Sequence, residues 1–186
     1  MANIRQNSDL RYVAFLKGIN VGGHASIKMA DLQAAFEKMG FREVRTVLAS
    51  GNVIFKSKRS DQKALLKEIG SGLKKSFHKS INVVLRGLDD LEKLRSSEPF
   101  KGIKVTPSTR FYVTFFAEKT QPRTIGIPYS TPMGDFRILQ ATSGEIFSVV
   151  DLSMGKGTPE TMNIIEKEFG SNVTARNWNT VLKVLL

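Results

Sequence analysis

Cysteine is absent from all 186 residues. Disulfides, thiolate nucleophiles and cysteine-ligated metals are thereby excluded, and a reducing, cytoplasmic setting is the simpler expectation. Histidine occurs twice, as His24 and His78. Neither stands near an acidic cluster at ligand spacing, so no metal site is expected. No apolar run approaches the ~20 residues of a membrane helix, so no membrane partner is expected. Residues 1–10 are polar and charged without the apolar stretch of a signal peptide, and they read as a disordered start. No Ser-His-Asp order or nucleophile elbow is present, and nothing calls for a cofactor.

Acidic residues are scarce: 17 Asp and Glu stand against 28 Lys and Arg, for a net charge of +11. The imbalance peaks in residues 56–86, where Lys56, Lys58, Arg59, Lys63, Lys67, Lys74, Lys75, Lys79 and Arg86 face only Asp61 and Glu68. Such a field concentrates polyanions near the surface. Weak, non-specific nucleic-acid binding through the helix expected over 60–79 is one reading of it, and a solubilising face is the other.

The hydrophobic pattern gives the order of elements. Residues 11–18 form a strand. Met29, Leu32, Phe36 and Met39 make one stripe of a helix, with Gly40 placed to end it. Glu43–Leu48 and Val53–Phe55 flank the turn Ser50-Gly51-Asn52 as a hairpin. Leu65, Ile69, Leu73 and Phe77 give a second helix, and Ile81–Leu85 a closing strand. This β-α-β-β-α-β order is the ferredoxin-like arrangement. A short helix follows over 88–94, and the looser residues 96–108 separate it from a second half. That half reads β-loop-β-β-α-α: a strand over 110–116, a Pro-rich loop over 117–134, a hairpin over 135–151, a helix from Thr158 and a last helix from about Asn177. The expected fold is α+β, with a ferredoxin-like domain over 11–95 and a smaller, degenerate α+β subdomain over 109–186. It echoes the first half without a residue-level repeat to prove duplication.

The densest candidate for chemistry is Gly18-Ile19-Asn20-Val21-Gly22-Gly23-His24-Ala25-Ser26-Ile27-Lys28, between strand and helix. Glycines let a ligand approach the main chain, and a helix start attracts anions. A plain chain reversal explains the same residues. His24 is a weak candidate for proton transfer, or else a solvated loop residue. Gly155-Lys156-Gly157-Thr158 looks like a phosphate loop but has Val150 where the first glycine belongs and Gly157 where the hydroxyl residue belongs. Tyr12, Phe15 and Phe55 are the aromatics an RNA-binding sheet would use, although the third-strand signature of such modules is missing. Late in the chain, Thr174-Ala175-Arg176-Asn177-Trp178-Asn179-Thr180 places a guanidinium, two amides and an indole at a helix start. Arg176 suits a phosphate or carboxylate; Thr174 and Asn177 suit capping.

Lys17-Gly18-Ile19-Asn20-Val21-Gly22-Gly23, Lys28-Met29, Ser50-Gly51-Asn52-Val53 and Thr174–Val181 together resemble the conserved bacterial domain-of-unknown-function family 1697. The resemblance runs from about Arg11 to the C-terminus. It implies a cytosolic α+β protein with a ferredoxin-like half and no established activity. Its motif positions fall here on Gly18, Asn20, Gly22, Gly23, Ser50, Gly51, Asn52, Arg176, Asn177, Trp178 and Thr180. This chain departs from the family in its Pro-rich 117–134, where relatives look helical, and near Gly155-Lys156-Gly157-Thr158.

One functional expectation follows. The glycine loop with Lys28, the Ser50-Gly51-Asn52 turn and the Arg176-Asn177-Trp178-Thr180 segment converge on a pocket for a phosphate-bearing ligand, either a small molecule or a nucleic-acid backbone. The competing expectations are an enzyme on a small phosphorylated or nucleotide substrate with His24 in proton transfer, and a structural or partner-binding module without a ligand.

Overall fold

A computed structural model of the chain describes residues 9–20, 26–118, 121, 124–154 and 158–186. The chain divides between Asp90 and Leu91 into two compact units.

In the first unit the order is β1 (Leu10–Leu16), α1 (Met29–Lys38), β2 (Arg42–Val47), β3 (Asn52–Ser57), α2 (Gln62–Phe77) and β4 (Val83–Gly87), and α3 (Leu88–Ser96) runs across the division. The sheet runs β2-β3-β1-β4, with every neighbouring pair antiparallel. This is the ferredoxin-like arrangement expected from the element order. Alternation on β1 sends Tyr12, Ala14 and Leu16 toward the helices, where they meet Phe36 of α1 and Leu65, Ile69 and Leu73 of α2. Met39 closes α1 and Gly40 follows at φ +84°. Asp61 caps α2 by accepting the backbone N–H groups of Lys63 and Ala64.

The strand expected at Ile81–Leu85 lies two residues further on, at Val83–Gly87. The RNA-platform reading is overturned. Tyr12 and Phe55 stack on each other 5.7 Å apart within the helix-covered core. Phe15, on the opposite sheet face, is 0% exposed. None of the three rings is open to a base.

The second unit contains β5 (Thr109–Phe116), β6 (Tyr129–Ser130), β7 (Phe136–Ala141), β8 (Glu145–Asp151), a 3-10 turn (Leu152–Met154), α4 (Thr158–Phe169), β9 (Val173–Asn177) and α5 (Trp178–Val184). Its sheet order is β6-β7-β8-β5-β9. The expected succession of two helices is thus corrected: a strand, β9, separates them and pairs with β5 from Tyr112↔Asn177 to Phe116↔Val173. Its Val-Thr-Ala-Arg-Asn sequence lacks the apolar alternation that announces a strand: Val173 enters the core beside α4, while a buried threonine and a buried arginine, Thr174 and Arg176, take the opposite sheet face.

With β9 in place the second unit repeats the first. β7-β8-β5-β9 reproduces β2-β3-β1-β4, and the loop carrying β6 stands where α1 would be. Tyr12-Val13-Ala14-Phe15-Leu16 recurs as Tyr112-Val113-Thr114-Phe115-Phe116, and Ser50-Gly51 as Ser143-Gly144. The hydrogen bonds recur with them. Leu16 N–H donates to Gly51 O at 2.8 Å and Phe116 N–H to Gly144 O at 2.9 Å; Lys17 N–H donates to Asn82 O at 2.8 Å and Ala117 N–H to Asn172 O at 2.9 Å. Val13 lies opposite Arg86 on β4, as Val113 lies opposite Arg176 on β9. Topology, register and these main-chain hydrogen bonds therefore recur in the second unit, with the residue-level echo confined to these short segments.

One prediction concerns the loop that replaces a helix. Glu168 of α4, 4% exposed, accepts the Thr124 hydroxyl at 2.7 Å and the N–H groups of Thr124 at 2.7 Å and Ile125 at 3.2 Å. The Thr124 hydroxyl, then its N–H, hold the carboxyl below its ordinary 4.5, against an opposing push from burial. A depressed acid pKa contributes stability that is present above the unfolded value and lost as pH falls through the folded one. An NMR titration of the Glu168 carboxyl is expected to give a midpoint below 4.5, with the Thr124 and Ile125 amide signals moving at the same midpoint. A midpoint at or above the ordinary value contradicts this tether.

Candidate functional site

The first unit gathers the glycine loop, the start of α1 and the β2–β3 turn at one end of its sheet. Asn20 makes the assembly. At φ +57° it occupies the left-handed region that asparagine tolerates better than most side chains. Its Oδ1 accepts Ile27 N–H at 2.7 Å, while its Nδ2 donates to Ile27 O and to Ala49 O, both at 2.9 Å. One amide therefore closes the loop on itself and ties it to the β2–β3 turn.

The turn is built to receive that tie. Gly51, at φ +75°, accepts Leu16 N–H at its carbonyl oxygen. A Cβ at Gly51 would fall 2.6 Å from Ile19 Cδ1 and 3.1 Å from Leu16 Cβ. Asn52 is fully buried and gives its Nδ2 protons to Val47 O at 2.7 Å and Ser50 Oγ at 3.1 Å. Ser50 itself is exposed.

Gly18 differs from Gly51. It is exposed, and a Cβ there would meet nothing within 4 Å, so only its φ of +67° requires glycine. Lys28 is exposed at the N-cap of α1 and provides no side-chain cap. The helix start therefore keeps its partial positive charge toward the loop, with Asp31 the acidic residue of its first turn. Gly22, Gly23 and His24 lie outside the described residues, as does Lys156.

The later motif belongs to the second unit. Arg176 is 8% exposed on β9. Its Nη1 donates to Thr174 Oγ1 and to Ala175 O, each at 2.8 Å. Burial draws its guanidinium pKa from 12.5 down to about 10. Asn177 caps α5 by accepting Asn179 N–H at 2.9 Å. Trp178 packs edge-on to Phe100 at 5.4 Å, and Thr180 is buried. Asn177 and Trp178 thus fill the capping and packing roles open to them in the sequence.

Two features escaped the sequence reading. Asn20 acts as an internal clamp, signalled by an asparagine between glycines. Arg86 is the counterpart of Arg176, and it likewise donates to its preceding carbonyl, Leu85 O, at 2.9 Å. Among the described residues no group of three or more His, Asp and Glu stands ready to hold a metal. No helix among them is long and apolar enough to cross a membrane.

Fold and loop geometry define an α+β protein with a ferredoxin-like first unit, an altered second copy of it, and a conformationally special loop at one sheet end. The chain belongs to the protein family of unknown function DUF1697, which it matches over residues 10–128. That span includes the glycine loop and the Ser50-Gly51-Asn52 turn and stops short of Arg176. Among solved structures, the conserved bacterial protein SP0830 from Streptococcus pneumoniae superposes with a TM-score of 0.70 at 20% identity, covering 95% of this chain and 97% of its own. The likeness is one of fold. No curated protein matches the chain.

Proposed function

We propose that the end of the first sheet carrying the glycine loop binds a phosphate-bearing ligand in the cytoplasm. The supporting observation is the Asn20 clamp. It holds Gly18, the uncapped start of α1 with Lys28, and exposed Ser50 on one rim by bonds of 2.7–2.9 Å. Left-handed residues turn backbone N–H groups into concave anion seats. A helix start adds partial positive charge, and Lys28 adds a full one. Asn20 itself is spent on the loop, so its part is to position the seat rather than to touch the ligand.

Calorimetric titration with inorganic pyrophosphate tests the proposal. Wild-type protein is expected to bind, and Lys28→Ala to weaken binding about tenfold, since hydrogen bonds to charged groups are worth ~1.5–3 kcal/mol. Absence of pyrophosphate binding, or equal binding by the Lys28→Ala variant, contradicts it.

A further inference from the structure

We infer that the outer face of α2 docks on the phosphate backbone of duplex nucleic acid and reads no base sequence. The surface is separate from the glycine-loop rim and does not depend on it.

The basic segment divides in two once folded. Arg42 pairs with Asp9, Lys56 with Glu43 and Arg59 with Glu68, so the bases at the foot of the hairpin are largely neutralised. Those along α2 are not. Lys63, Lys67, Lys74 and Lys75 are exposed and have no side-chain partner among the described residues. At 100° per residue, the positions within about 60° of the direction opposite buried Leu65, Ile69 and Leu73 are 63, 64, 67, 71, 74 and 75. They carry Lys, Ala, Lys, Ser, Lys and Lys, with His78 as the C-cap. Gly70 and Glu68 border the stripe on its two sides, Glu68 paired with Arg59; within the stripe there is no carboxylate, and no side chain between the lysines is larger than serine.

The same composition selects the partner. A helix that inserts into a lipid surface needs an apolar face turned outward, whereas the apolar face of α2 is buried in the core. Single-stranded nucleic acid is held by stacking on aromatics, and this stripe has no Phe, Tyr or Trp. What remains is a row of ammonium groups, spanning about 16 Å from Lys63 to Lys74 at ~1.5 Å per residue. It faces roughly five phosphates of one duplex strand, at ~3.4 Å each. Ala64, Gly70 and Ser71 let the helix axis come close. Gly70 is spared any packing demand, because a Cβ there would meet nothing within 4 Å, although glycine weakens a helix interior.

The duplicated unit supplies the control. α4 packs on its sheet as α2 does, yet outside its buried residues it carries Glu160 and Glu166 against Lys167. The architecture works with the opposite charge, so packing does not require the lysines of α2.

The test is fluorescence anisotropy of the full chain with a labelled 20-base-pair duplex. Binding is expected to fall with salt along a log–log slope of about −2.7 to −3.6, for three to four phosphates neutralised at ~0.9 each, and to be equal for unrelated sequences. Lys63→Gln, Lys67→Gln and Lys74→Gln together are expected to weaken it at least tenfold, with an unchanged melting temperature confirming the fold. Removing three exposed basic residues elsewhere (Lys104, Arg137 and Lys183 to Gln) is expected to weaken it by less than threefold. Equal losses in the two triple variants would reduce the binding to net charge and overturn the proposal. So would a slope near zero, a strong sequence preference, or tighter binding to phosphatidylserine vesicles than to the duplex. Pyrophosphate binding retained by the Lys63/Lys67/Lys74 variant keeps this test distinct from that of the rim.

Discussion

Replacing Asn20 by aspartate is expected to lower the unfolding free energy of the chain by about 2–3 kcal/mol. The change is nearly isosteric and keeps the acceptor for Ile27 N–H, but it removes both protons donated to Ile27 O and Ala49 O. Two hydrogen bonds at ~0.5–1.5 kcal/mol each are lost, and a carboxylate is set against two carbonyl oxygens. Asparagine and aspartate both tolerate the left-handed region, so the cost reports the hydrogen bonds rather than the backbone. Alanine at the same place is expected to cost more, because it also forfeits the bond to Ile27 N–H and must hold φ +57°. Urea denaturation measures both. An aspartate variant as stable as wild type would mean that the loop is held by something other than this amide.

Gly51→Ala carries the second large effect, about 2–5 kcal/mol of destabilisation. Two terms add. A left-handed alanine costs ~1–2 kcal/mol, and the methyl would sit 2.6 Å and 2.7 Å from Ile19 Cδ1 and Cγ1, an overpacking of the kind that costs ~1–3 kcal/mol. Gly18→Ala isolates the first term, since its φ of +67° is similar and its surroundings are empty. Thermal melts of the pair are expected to separate the variants, with Gly51→Ala the less stable. Equal melting points would show that Ile19 yields without cost and that the turn is not packed against the glycine loop.

Much of the first unit was legible because its chemistry is local. Met29, Leu32 and Phe36 announce α1 by spacing alone. Gly40 and Gly51 mark reversals that only a left-handed residue completes, and each is found at positive φ. The second unit resisted for physical reasons. β9 gives the core beside α4 Val173, while buried Thr174 and Arg176 take its other face, so its pattern reads as polar. The Pro-rich loop displaced the helix that would have made the repeat visible, although Tyr-Val-Ala-Phe-Leu and Tyr-Val-Thr-Phe-Phe both stood in the sequence. Recognising that β5 repeats β1 would have called for a counterpart to β4, and so for β9.

The candidate site shows the same division. Glycines and a lysine before a helix suggested the proposed anion seat by residue type alone. The role of Asn20 was not, because its partners Ile27 and Ala49 contribute only main-chain atoms, and no side-chain pattern betrays them. Trp178 and Asn177 looked like ligand groups for the converse reason. Capping and ring packing use the same polar and aromatic types as recognition, and only position separates the two.

The most direct measurement is an amide NMR titration of the full chain with inorganic pyrophosphate. The largest saturable shifts are expected at Lys17–Asn20, Ser26–Ala30 and Ala49–Gly51, attenuated together in the Asn20→Asp variant. Shifts confined to α2, or scattered over exposed lysines without saturation, would contradict a phosphate seat at the glycine loop.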